Sequence, residues 1–174
     1  MKNNSLSKSL TRYAAIQALY NLDYSKNLNE VKKNLTSNKG FFVDSNYELN
    51  FKKTKMNKVF FFGILNYIEK EKDKIDELIK SYLVSEWRLD RIPKVQLAIL
   101  RVAVAEMIIY PKTSIGVIIS EYIMFTECFY TEKEFSFTNA ILEKIYNKLK
   151  DYPKLKLNEW RAEINKNFFL SNRR

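Results

Sequence analysis

The chain has 174 residues, 46% of them hydrophobic, with 30 Lys and Arg against 20 Asp and Glu, a formal charge of +10. That is enough apolar content for a sizeable core and enough positive charge to point first to an anionic polymer as partner. No His, one Cys, three Gly and three Pro exclude His–Asp triads, an intramolecular disulfide, His or Cys-cluster metal sites and Gly-rich nucleotide loops.

The first segment places Leu6, Leu10, Ala14 and Ala18 on one stripe, which predicts a helix to about Tyr24. Lys8 and Arg12, four apart, share a face off that stripe, expected to be solvated. Residues 26–55 are the least regular. Leu28, Val31 and Leu35 allow a short helix, and 36–52 reads as a long loop with Phe41 and Phe42 in it. Lys52, Lys53, Lys55 and Lys58 cluster after it.

Helical spacing resumes from Met56 to Tyr67 and again from Ile75 to Tyr82. The charged run between them leaves open one bent helix or two. Trp87–Arg91 reads as a turn, and Pro93 fits the first turn of the next helix, where its missing N–H does no harm. Val95–Ile109 is apolar nearly all round, so neighbours must cover it on several sides. Within it Arg101 and Glu106 are costly to bury unpaired, and Arg101 is expected to pair with Glu121 or Asp90. Ser114 suits the cap of a helix over Ile115–Phe129, on which Phe125, Cys128 and Phe129 share a stripe. Thr131 and Glu134 have capping-box spacing, and Phe137, Ala140, Ile141, Ile145 and Leu149 mark another helix that Pro153 breaks. Trp160, Ile164 and Phe168 suggest a short helix in the tail.

The expected fold is therefore all-α: a single domain of about six or seven helices over residues 1–151, with 152–174 as a docked C-terminal extension. No segment reaches the roughly 18 apolar residues that a membrane span needs. The N-terminus lacks the apolar stretch of a secretory signal, and a cytoplasmic location is expected. Charge alone leaves open that the basic residues are only a solvated surface.

Five phrases in a fixed order carry more information than composition does: Arg12-Tyr13-Ala14-Ala15-Ile16-Gln17-Ala18-Leu19-Tyr20, Trp87–Ile92 with Val95, Ala98–Ala103 with Glu106, Val117–Tyr122, and Phe137–Ile145. Over about residues 6–149 the chain resembles the NusB family of bacterial transcription antitermination factors. The resemblance implies two three-helix sub-bundles and RNA binding without catalysis or cofactor. It implies boxA RNA of ribosomal RNA leader transcripts as ligand and the NusE-type small-subunit ribosomal protein as partner, within the RNA polymerase antitermination complex. A homodimer is compatible with it. Lys8 and Arg12 correspond to two positions of the family's basic N-terminal motif, with Lys2 extending that face if the tail orders, and Lys133 and Phe137 to its second RNA-facing element. Phe137 is also placed for the core by its spacing to Ile141. Tyr20 and Glu121 are candidate partner contacts, each with a structural reading beside it.

Two other functions compete. One is a protein–protein adaptor with little RNA affinity, because Ser9, Leu10 and Thr11 thin the basic motif. The other is a ribosomal RNA methyltransferase, since NusB-like domains also occur fused to such enzymes. The chain stops at Arg174 without the long catalytic domain that role needs, so no enzyme activity is expected.

Overall fold

The computed structural model describes residues 2–25, 27, 29–31, 33, 54–83 and 88–151. Among them lie five α-helices: α1 (Lys2–Ser25), α2 (Lys58–Lys80), α3 (Lys94–Ile109), α4 (Ile115–Glu127) and α5 (Glu132–Asp151). A 3-10 turn spans Leu89–Arg91, and the described residues contain no strand. The all-α expectation holds. The Phe41–Phe42 loop, Lys52, Lys53, Trp87 and the extension at 152–174 lie outside the described residues.

The chain divides into two compact units, Met1–Leu65 and Asn66–Arg174. In the first, α1 buries Leu10, Ala14, Ala15, Ile16 and Ala18, while the start of α2 buries Phe60, Phe61, Ile64 and Leu65. Thr11 lies on the α1 stripe with Ala14 and Ala18 and is fully buried with them. Its hydroxyl donates to the Ser7 carbonyl at 2.6 Å and accepts the Asn57 N–H at 2.9 Å, so a polar atom enters the apolar face without losing its hydrogen bonds. Asn57 then caps α2, its Oδ1 accepting the Phe60 N–H at 3.0 Å. Between the two helices Asn27 starts a helical turn, its Oδ1 accepting the Glu30 N–H.

α2 is kinked inside the charged run, where two helical stretches meet and the backbone leaves helical values at Glu71 (φ −119°, ψ 22°). The second unit is built around α3, α4 and α5, which pack on one another. α3 is buried from Ala98 to Ile108 except at Arg101. Each covered Ile or Leu there contributes about 1.5–3 kcal/mol. Pro93 stands one position earlier than its sequence reading: it is the N-cap of α3, and its carbonyl accepts the Leu97 N–H at 2.9 Å. Ser114 caps α4 as read, accepting the Val117 N–H at 3.4 Å.

Two polar side chains of α3 find partners of different kinds. Glu106 is fully buried, and its carboxylate accepts the Tyr122 hydroxyl at 2.7 Å. Arg101 pairs with neither Glu121 nor Asp90. Its guanidinium donates to both carboxylate oxygens of Asp76 on α2, at 2.7 and 2.8 Å. Asp90 is taken up by Arg88, through bonds of 3.0 and 2.8 Å. That hydrogen bond, made at the surface, holds the Asp90 carboxyl below its ordinary value.

Candidate nucleic-acid interface

The basic residues of α1 sit differently from the solvated face their spacing suggests. Helical periodicity does put Lys8 and Arg12 on one side, one turn apart. The α2 cap then brings the Phe60 ring beneath both: the Arg12 guanidinium lies 5.5 Å and the Lys8 ammonium 6.0 Å from its centroid. These are cation–π distances. Arg12 is only 3% exposed, and Lys8 is half-buried. The expectation of a freely solvated pair therefore fails for Arg12, which is buried beside the Phe60 ring. Lys2 lies in the first turn of α1. Tyr20, half-buried, stands eight residues beyond Arg12, about 12 Å further along the helix.

The second candidate element belongs to the other unit. Lys133 and Phe137 are four apart at the start of α5, so they share a face. Lys133 is exposed and Phe137 half-buried. The helix begins at Glu132, ahead of Phe137, where the apolar spacing starts. The capping-box pair forms with its hydroxyl reversed. The Glu134 carboxylate accepts the Thr131 N–H at 3.2 Å and the Thr131 hydroxyl at 2.7 Å. The Thr131 hydroxyl bond leads in holding Glu134 below its ordinary value, so this carboxylate stays charged next to Lys133.

Gln96, which the sequence reading passed over, secures this turn from α3. Only 2% exposed, its amide donates to the Glu134 carbonyl at 2.9 Å and the Thr138 hydroxyl at 3.2 Å. A Gln in a helix otherwise apolar all round is the signal that marks it, since a buried amide demands partners. Glu121 sits half-buried on α4. Phe129 departs from its expected stripe: α4 ends at Glu127, and Phe129 is 50% exposed beside Tyr130, with ring centroids 6.4 Å apart. Cys128 is half-buried, and its thiol donates to the Met124 carbonyl at 3.2 Å.

Among the described residues there is no group of acidic, His or Cys side chains able to hold a metal ion, and no helix long and apolar enough to cross a membrane. What the chain offers is cations and aromatics. Such surfaces hold RNA through phosphate neutralisation and stacking.

The NusB family profile matches residues 9–147. The chain is 30% identical over 158 residues to the transcription antitermination protein NusB of Rickettsia bellii, an alignment covering 87% of this chain and 98% of the relative. It is 33% identical over 143 residues to that of Clostridium botulinum, covering 82% of this chain and all of the relative. Among solved structures it is similar to T. maritima NusB, with TM-score 0.59 and 25% identity over 86% of this chain and 96% of that one. It also shares the fold of a chain in a complex of the antitermination factors NusB and NusE with dsRNA, at TM-score 0.60 and 24% identity over 82% and 97%.

Proposed function

The chain belongs to the NusB family of transcription antitermination factors, and from that premise we propose that it works as a non-catalytic RNA-binding subunit in the cytoplasm. Its ligand in this reading is boxA RNA of ribosomal RNA leader transcripts, and its partner the NusE-type ribosomal protein within the RNA polymerase antitermination complex. The observation that carries the reading is the cation pair Lys8 and Arg12 set over one aromatic ring, in a chain of net charge +10. A similar fold occurs in a solved NusB–NusE–dsRNA complex, which supports the choice of partners.

Titration with boxA RNA and with a scrambled RNA of equal length, each with and without the ribosomal partner, tests this. The expected result is modest binding alone, a preference for boxA, and tighter binding by the heterodimer, because a second basic protein adds phosphate contacts on the same strand. Equal affinity for both RNAs with the partner present would remove boxA as the target.

A second reading is an adaptor with little intrinsic RNA affinity. One observation favours it: Arg12 is 3% exposed, so little of its guanidinium is open to a phosphate. Salt separates the two. A phosphate binder loses affinity linearly in log salt concentration, whereas an adaptor shows no such RNA binding to lose.

A further inference from the structure

Two hydrogen bonds fasten the segment ahead of α2 along α1. The Ser7 hydroxyl donates to the Lys55 carbonyl at 2.7 Å, and the Asn57 N–H donates to the Thr11 hydroxyl at 2.9 Å. The pattern repeats after one turn of α1. Ser7 precedes Lys8 and is bonded to Lys55; Thr11 precedes Arg12 and is bonded to Asn57, which precedes Lys58. Lys55 and Lys58 are exposed. Lys8 and Arg12 thus each have an exposed lysine within a residue of the bond beside them.

The sequence immediately around these four cations is free of acids. No Asp or Glu occurs before Asp23, and none between Thr54 and Ile68. The contrast with Lys133 is direct, because Glu132 and Glu134 flank it. A positive surface free of local acids suits phosphates, while lysines used as ion-pair partners are interleaved with acids.

We infer that Lys55 and Lys58 form a second phosphate-binding wall, facing the basic side of α1, for the backbone of single-stranded RNA. This rests on the RNA-binding reading above and deepens it. The wall supplies two exposed cations beside Lys8 and Arg12, of which Arg12 is buried. Ser7 and Thr11 take part by holding the wall in place. Contacts of this kind position the strand and carry no base preference, so the wall contributes equally to boxA and to other single strands.

The test is a salt titration of RNA binding with the full chain, using boxA RNA and an oligouridine of equal length. The double variant Lys55→Gln with Lys58→Gln is compared with Lys8→Gln and with a charge-matched control, Lys144→Gln with Lys148→Gln, on exposed positions of α5. Circular dichroism confirms that each variant is folded. Each phosphate contact on a single strand adds about 0.7 to the slope of log affinity against log salt. The wall variant is therefore expected to flatten the slope by about 1.4 for both RNAs, with the α5 control close to wild type. An unchanged slope in the wall variant, with Lys8→Gln flattening it, overturns the wall and leaves the RNA reading standing. Equal flattening by the wall variant and the control also overturns it, since net charge alone would then account for the effect. Wild-type protein with no salt-dependent RNA binding overturns both.

Discussion

Arg101 shows how one side chain can be read correctly in kind and wrongly in partner. A guanidinium inside an apolar helix must be paired, and it is, with side-chain exposures of 12% for Arg101 and 18% for Asp76. The partner was illegible in the sequence because Asp76 lies 25 residues upstream on another helix. Nothing local distinguishes it from Glu77 or from the acids of the charged run just before it. Removing the carboxylate as Asp76→Asn leaves Arg101 under-compensated in a mostly dry setting. The expected loss is about 2–3 kcal/mol, read as a melting temperature lower by roughly 5–10 °C. Replacing both partners with apolar residues, Asp76→Leu and Arg101→Met, should recover much of that loss, because no charge is then stranded. A double variant as unstable as the single one would mean that side-chain packing, and not the charge, dominates the site. Arg12 illustrates the same limit. Its spacing to Lys8 was legible, but the ring that covers it is 48 residues away in sequence, beyond an irregular stretch.

The helices themselves were largely readable because each buries one stripe, and spacings of three and four survive in the sequence. α3, covered on nearly every side, was recognisable by the same logic in reverse. Less readable were the ends, where a hydrogen bond decides the boundary: Pro93 as a cap, Thr131 and Glu134 starting α5 early, α4 stopping short of Phe129. Gln96 belongs to this class, since its meaning depends on which carbonyl a neighbouring helix presents. It ties the first turn of α5, which carries Lys133 and leads to Phe137, to the start of α3. Gln96→Leu removes the buried amide that donates to both the Glu134 carbonyl and the Thr138 hydroxyl. A destabilisation of about 1–3 kcal/mol is expected. Faster hydrogen exchange should be concentrated in the amides of 132–138, with the interior of α3 still protected. Uniform acceleration across the second unit would mean that Gln96 stabilises the fold as a whole and does not anchor one turn.

The stability of the whole protein against alkali follows from tyrosines in the second unit. Burial, with the Glu71 carboxylate in support, pushes Tyr67 well above its ordinary value of 10.0. Tyr110 is raised too, by burial and then by Glu106. In the unfolded chain these phenols release protons near pH 10, while the folded chain still holds them. The unfolded state then binds fewer protons, so the contribution of these tyrosines is constant below about pH 10 and stability falls as pH rises beyond it. Melting curves between neutral pH and pH 11 should show that decline, and Tyr67→Phe should shallow it. A decline of the same steepness in Tyr67→Phe would assign it to other groups. The two units also differ in how far apart in sequence their contacts lie. In the second, α3, α4 and α5 follow one another and pack on one another. In the first, Ser7 must meet Lys55, 48 residues later. At about 5–20 residues per second, a ribosome takes roughly 2–10 s to make the intervening chain. During those seconds α1 exists without Phe60, so Arg12 has no ring above it and Ser7 and Thr11 have no segment to hold. Nascent α1 therefore carries Arg12 without the ring that the finished unit sets beside it, and synthesis of the start of α2 is the event that supplies that ring.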